Sequence, residues 1–100
     1  MTTPEQLREA ARRARADATE LRFFATRLAR SHIHELSRLS GDGIWLGPTA
    51  AAFQAEVTRS RHDVEAAIDD LHRMAVLRDA EATDLVRAAT HAEALAPMVG

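Results

Sequence analysis

The sequence predicts an all-α fold, in which two long antiparallel helices are joined by a single turn. Glycine and proline cluster at positions 41–48 and otherwise occur only at Pro4, Pro97 and Gly100. The two uninterrupted stretches between them are rich in Ala, Arg, Glu and Leu, which favour helix. With 100 residues and a mass of 11.0 kDa, the chain has the size of one small domain.

Capping signals set the predicted ends of both helices. Residues 3–6, Thr-Pro-Glu-Gln, form a capping-box pattern with the threonine as N-cap and the proline at the first helical position. Gly41 stands where a left-handed C-terminal cap is expected, Pro48 can open the second helix, and Pro97 would end it after Ala96. The predicted domain, 1–100, has a helix over about 4–40, a turn over about 41–48 and a helix over about 49–96.

Apolar residues recur every three or four positions along both stretches, which is the period of a helix in a coiled-coil-like seam. Ser60, Arg78 and Glu81 interrupt the pattern in the second stretch, and His32 and Glu35 interrupt it in the first. The first predicted seam consists of Leu7, Ala11, Ala14, Ala18, Leu21, Ala25 and Leu28. The second consists of Phe53, Val57, Ser60, Val64, Ala67, Leu71, Met74, Arg78, Glu81, Leu85, Ala88, Ala92 and Leu95, with Ile68 and Ala75 beside it.

Charge is divided unevenly between the two predicted helices. Residues 1–40 carry eight arginines and five acids, a net charge of +3, whereas residues 41–100 carry five arginines and ten acids, a net charge of −5. A hairpin would therefore pair a basic helix with an acidic one. Because exposed ion pairs contribute only about 0–1 kcal/mol each, we expect them to guide pairing more than stability. The alternative is a solvated Arg/Glu surface without any preference for a partner.

The apolar content predicts that the hairpin associates. Alanine accounts for 21 of the 46 apolar residues, and no cysteine is present to form a disulfide. Phe23 and Phe24 point about 100° apart, so they cannot both face one neighbouring helix. Since a small single core contributes only about 3–5 kcal/mol, two hairpins are expected to dimerise into a four-helix bundle. The predicted interface consists of Leu21, Phe24, Leu28, Phe53, Val57, Val64, Leu71 and Leu85.

Helix length adds a prediction about the end of the chain. At 1.5 Å per residue the first helix would be roughly 55 Å long and the second roughly 73 Å. The second helix would then overshoot by about three turns. We expect its last part, 87–95, to lack a partner in the first helix.

The turn contains the most informative motif. It carries the only tryptophan of the chain in the sequence Trp45-Leu46-Gly47, and Phe53 follows eight residues after that tryptophan. A helical hairpin of about 100 residues with a central Trp-X-Gly resembles the WXG (ESAT-like) family of small type VII secretion proteins. The resemblance covers essentially the whole chain.

This resemblance implies a function without catalysis. Members of the family dimerise into antiparallel four-helix bundles, with themselves or with a paralogue, and leave the cell through a type VII (ESX-type) machine with a membrane ATPase. The implied protein is cytoplasmic before export and afterwards secreted or on the cell surface, with no cofactor. Trp45 and Gly47 would contribute to an export signal that is completed across the dimer by a Tyr-X-X-X-Asp/Glu tail.

The sequence departs from the family in that tail. It has no tyrosine, and the stretch 89–93 places Glu93 at the expected spacing with an alanine at the first position. One explanation is that the chain is the member of a heterodimer that lacks the tail signal. The other is a divergent member that is exported differently or not at all. We favour a paralogous partner that carries the tail motif, with a homodimer as the second possibility.

Other function classes have little support in the sequence. A net charge of −2 argues against a dedicated nucleic-acid binder, and no apolar run approaches the roughly 18 residues of a membrane span. Neither a nucleophile elbow nor a phosphate loop is present, and the start has no apolar region typical of a cleaved signal peptide. The rival interpretations are a structural or regulatory helical bundle with a coincidental Trp-X-Gly and, more weakly, an anion-binding or DNA-binding helix pair.

The histidines do not predict a metal site. His32 and His34 point about 200° apart on a helix, and His32 with Glu35 would supply only two ligands. Imidazole titrates near pH 6.5, so a response to pH is the more plausible role. His32, on the predicted seam, is the candidate for that response.

Overall fold

The computed structural model describes residues 2–41 and 48–99, and it describes the side chains of residues 2–33, 35 and 51–96. It contains α1 (Pro4–Gly41) and α2 (Pro48–Val99), which pack on each other along an elongated body of 80 × 17 × 15 Å. The described part of the chain contains no β-strand. The prediction of an all-α helical hairpin is therefore confirmed.

The start of α1 has the hydrogen bonds of a capping box. The backbone N–H of Gln6 donates to Thr3 Oγ1 over 3.1 Å, and the backbone N–H of Thr3 donates to Gln6 Oε1 over 2.9 Å. Helix α2 begins at Pro48 as predicted, but it continues through Pro97 to Val99. The predicted end at Ala96-Pro97 is therefore wrong. Proline costs the helix one hydrogen bond, but its fixed φ, near −65°, is a helical value, so the helix can continue through it.

Alanines form the seam between the two helices. They are the only fully buried residues among the described side chains, each at most 1% exposed, and Ala11 and Ala14 pack with Ala82. On each helix, three of them recur at intervals of seven residues, so they present one continuous stripe. Because alanine is small, this stripe lets the two backbones approach closely. The buried alanines are Ala11, Ala14, Ala18 and Ala25 on α1, and Ala75, Ala82 and Ala89 on α2.

The predicted seam of α1 is confirmed. In the predicted seam of α2, about every second residue is exposed, and other residues face α1 in its place. All seven predicted seam residues of α1 are buried or half-buried. On α2 the stripe that faces α1 runs through Ile68 and the three buried alanines. The physical reason is size, since side chains such as Met74 or Glu81 at these layers would force the helices apart. The predicted seam residues of α2 that are exposed include Ala67, Met74, Glu81, Ala88 and Leu95.

Three ion pairs between described side chains of the two helices define their register. Arg8 pairs with Glu93, Arg22 with Asp79 and Asp17 with Arg78. The residue numbers of these partners add up to between 95 and 101, so Gly41 lies level with about residues 54–60.

This register corrects the predicted overshoot. The stretch 87–95 does have partners on α1, because Ala89 is fully buried and Glu93 pairs with Arg8. The excess length of α2 lies instead at its N-terminal end, where roughly two to three turns extend past the end of α1. Matching of the alanine stripes sets this offset, which helix lengths alone do not determine.

Candidate protein interface

The predicted interface residues are spread along the hairpin. Phe24 is 48% exposed, and the other seven are half-buried. Leu21 and Phe24 line a common groove, whereas Phe53 and Val57 lie in or next to the part of α2 that extends past α1. The half-buried residues are Leu21, Leu28, Phe53, Val57, Val64, Leu71 and Leu85.

One side of the hairpin carries a groove between the two helices. Its volume is about 270 Å³, and it lies beside the alanine seam near the middle of α1. The apolar side chains in its lining are Leu21, Phe24 and Met74, of which Met74 is 50% exposed. We call this side of the hairpin the groove face, defined by Asp17, Glu20, Leu21, Phe24, Met74 and Arg78.

Large apolar side chains are exposed on both helices at the level of the groove. Phe23 and Phe24 on α1 are exposed, as are Met74, Val76 and Leu77 on α2. The register places these two short segments level with each other. Because alanines fill the seam inside the chain, the larger side chains remain outside, where a second protein could bury them. Of these five side chains, Phe24 and Met74 line the groove, and exposed apolar residues there are typical of a surface that contacts another protein.

Arg78 organises the charge on the groove face. Its guanidinium donates to Asp17 on α1 and to Glu81 on its own helix, and these hydrogen bonds raise the pKa of Arg78. Asp79 points about 100° away from Arg78, so its pair with Arg22 lies on the opposite side of the seam. The groove face therefore carries an ion pair between α1 and α2 next to its apolar lining.

Another ion pair belongs to the surface of α1 alone. Glu9 accepts hydrogen bonds from Arg12, which lower the pKa of the Glu9 carboxyl. These side chains are exposed and their ion pair joins two residues of α1, so it supports the local helix.

Sequence reasoning identified Phe24 but placed Met74 in the internal seam. In the structure, Met74 is exposed and lines the groove together with Phe24. The signal that could have corrected this is the spacing of seven residues between Ala75, Ala82 and Ala89, which matches the spacing of the alanines on α1.

His32 is half-buried on the seam side of α1. Its Nε2 atom is buried and has no hydrogen-bond partner. Burying a polar atom without a partner costs roughly 1–3 kcal/mol, so we expect this histidine to weaken the hairpin. Its response to pH stays a prediction.

We expect His32→Leu to raise the free energy of unfolding by about 1 kcal/mol, because it removes the unsatisfied nitrogen and keeps an apolar group of similar size. Urea denaturation at fixed protein concentration measures this change. His72→Leu is the matched control, since His72 is exposed on α2 and its replacement should change stability by less than about 0.5 kcal/mol. A loss of stability in His32→Leu would contradict the assignment.

The proposed turn motif, Trp45 and Gly47, lies outside the described residues. Among the described residues, no group of three or more His, Asp or Glu side chains could hold a metal ion. In the same part of the chain, neither helix contains a stretch long and apolar enough to cross a membrane.

Comparisons of this chain with protein-family models, with curated proteins and with solved structures give no match.

Proposed function

We propose that the protein is a non-enzymatic binding module that forms a four-helix bundle with a second hairpin and is exported by a type VII (ESX-type) secretion system. The observation that supports the binding role is that small apolar residues lie in the seam, whereas large ones are exposed on the surface. Alanines form the buried contact between α1 and α2, while Phe24 and Met74 stay exposed on the groove face. A second hairpin on the groove face would remove these side chains from water.

The export role is supported by the resemblance at the turn. Trp45-Leu46-Gly47 stands between the two helices, as the Trp-X-Gly motif does in the WXG family. Because this chain has no tyrosine, the tail signal of the family would come from a paralogous partner. The chain would be cytoplasmic before export and would contact the secretion ATPase together with that partner. A homodimer is the second form of the proposal.

A structural or regulatory bundle that is not exported is the alternative function. The same exposed apolar residues support it, since they require a partner but not export. The open reading frame next to this gene distinguishes the exported protein from the bundle that is not exported. A chain of about 100 residues with its own Trp-X-Gly and a Tyr-X-X-X-Asp/Glu tail favours export.

We expect Trp45→Ala to abolish secretion while dimerisation persists. The experiment co-expresses the chain with its neighbouring paralogue in a host that has a type VII system, and compares the culture medium with the cell lysate. The variant should accumulate inside the cell and still elute at the size of the dimer.

Leu46→Ala is the matched control for this experiment, because it changes the middle residue of the motif and leaves its tryptophan and glycine in place. It should be secreted like the wild type. Unchanged secretion of Trp45→Ala would refute the export role, and the alternative function would then stand.

A further inference from the structure

We infer that the hairpin has a second register, in which α2 is displaced along α1 by one heptad and Arg15 pairs with Asp79. The two helices would slide on their alanine seam by about 10 Å, the rise of one heptad at 1.5 Å per residue. The slide is a property of the single hairpin, whereas its consequence for binding rests on the proposed function. Two features indicate it, a gap in the row of ion pairs between the helices and the repeat of the seam.

Two ion pairs lie along the edge of the hairpin opposite the groove face. Arg8 pairs with Glu93, and Arg22 pairs with Asp79. The residue numbers of both pairs add up to 101, so the two pairs belong to the same row of facing positions. Positions seven residues apart on one helix face positions seven residues apart on the other.

Arg15 lies midway between the two paired arginines of this row, seven residues from each. The same sum of residue numbers places it level with Val86, a side chain that has no hydrogen-bond acceptor. Arg15 is exposed and has no ion pair among the described residues. Asp79 and Glu93 each lie one heptad from Val86, so a displacement by one heptad would give Arg15 an acidic partner.

The seam permits such a displacement. Fully buried alanines recur every seven residues on each helix, at positions 11, 18 and 25 of α1 and at positions 75, 82 and 89 of α2. A shift of one heptad therefore sets alanines against alanines again along most of the stripe, and it brings Ile68 to the end of the stripe. Because the packing of the two registers is similar, the weak exposed ion pairs decide between them.

The connection between the helices determines the direction of the slide. The N-terminal end of α2 extends past α1 by roughly two to three turns, and the slide that joins Arg15 to Asp79 shortens this extension by about two turns. The opposite slide, which would join Arg15 to Glu93, lengthens the extension by the same amount. The separation of Gly41 from Pro48 would then approach the full reach of six connecting residues, at most about 3.3–3.6 Å each.

The slide would divide the groove face. Phe24 and Met74 line one groove from opposite helices. A displacement of one heptad moves Met74 by about 10 Å along α1, away from Phe24 and to the level of Asp17. We therefore expect the register of the structure to bind a partner on the groove face and the second register to release it. A partner bound there would in turn hold the register of the structure.

Distances between two spin labels test the slide, because the chain has no cysteine of its own. Labels on the exposed positions of Arg30→Cys and Ala88→Cys would lie about 10 Å farther apart in the second register. An excess of unlabelled chain restricts the measurement to distances within one chain. We expect a major population at the shorter distance and a minor one at the longer distance.

Removing the ion pairs of the first register should favour the second. Arg8→Gln/Arg22→Gln breaks both pairs of the row and leaves Arg15 and Asp79 in place. The ratio of the longer to the shorter distance should rise by roughly tenfold at low salt, where exposed pairs are least screened.

Two further variants complete the test. Arg13→Gln/Arg27→Gln is the matched control, because it removes the same charge from exposed positions of α1 that have no ion pair with α2 among the described residues. It should leave the ratio unchanged. Val86→Glu completes the row opposite Arg15 and should abolish the longer distance, with circular dichroism verifying the helix content of each variant.

A rise in Arg8→Gln/Arg22→Gln that is absent from the control supports the inference. A single distance in the wild type and in this variant, or an equal rise in the control, overturns it. The proposed function is tested separately by secretion and by co-purification with the paralogue. A single register with intact secretion contradicts only the slide, whereas two registers without secretion contradict only the export role.

Discussion

Replacing Ala82 with leucine is expected to destabilise the hairpin by about 1–3 kcal/mol. Ala82 is fully buried and packs with Ala11 and Ala14 on the other helix. A leucine there has no space, because the contact between the helices is made of methyl groups. The helices must separate at that layer or the new side chain must leave its preferred rotamer, and either response loses packing. Urea denaturation at a fixed protein concentration gives the free energy, and the midpoint should fall without loss of cooperativity.

Ala80→Leu is the matched control for Ala82→Leu. Both substitutions replace one strong helix former with another on the same turn of α2, so they change intrinsic helix propensity by similar small amounts. Ala80 is exposed, and its leucine points into solvent. We expect its effect to stay within about 0.5 kcal/mol. Equal losses in the two variants, or no loss in Ala82→Leu, would show that the alanine stripe does not determine the spacing of the helices.

The fold could be predicted from local signals because each helix carries its own start signal and glycine and proline separate the two. Thr3 and Gln6 form the expected capping bonds, and α2 begins at the expected Pro48. The alanine stripe of α1 could also be assigned, since apolar residues recur along it every three or four positions from Leu7 to Leu28. These features depend on residues close together in the sequence, which is why the sequence alone determines them.

The face that α2 presents to α1 depends on both helices at once. The stripe through Met74 and the stripe through Ala75 have the same period, and the first contains more apolar bulk. The alanines buried on α1 decide which stripe of α2 faces α1, because close approach of the two helices requires a small residue on each of them. The candidate interface could not be fully assigned from the sequence for the same reason. Which bulky side chains remain outside is known only after the seam has been assigned.

The position of the excess length shows a second limit of the sequence. Helix lengths predict that α2 is longer than α1, but they do not say which end protrudes. The pair of Arg8 with Glu93 and the burial of Ala89 place the C-terminal part of α2 against the start of α1. Long-range register of this kind arises from matching two surfaces and has no signal within either helix.

We expect Phe24→Glu to weaken association of the protein by about tenfold or more. Burying a large apolar side chain is worth roughly 1.5–3 kcal/mol, which corresponds to about tenfold or more in a dissociation constant for each copy. Phe24 is 48% exposed, so about half of its surface is still in contact with water in the single hairpin. In a homodimer the substitution acts twice, and each glutamate would also bring an unpaired carboxylate next to the apolar lining of the groove.

Phe23→Glu is the decisive comparison because the two residues are adjacent and chemically identical. Phe23 is 58% exposed and lies about 160° round α1 from the buried Ala25, on the side away from α2. It does not line the groove, so its replacement should leave the dissociation constant within a few-fold of the wild-type value. Sedimentation equilibrium measures the dissociation constants of both variants at matched helix content. The comparison distinguishes a specific interface from non-specific apolar association. If the two variants lost affinity equally, the apolar residues would act as an unspecific patch, and the groove face would not be the interface.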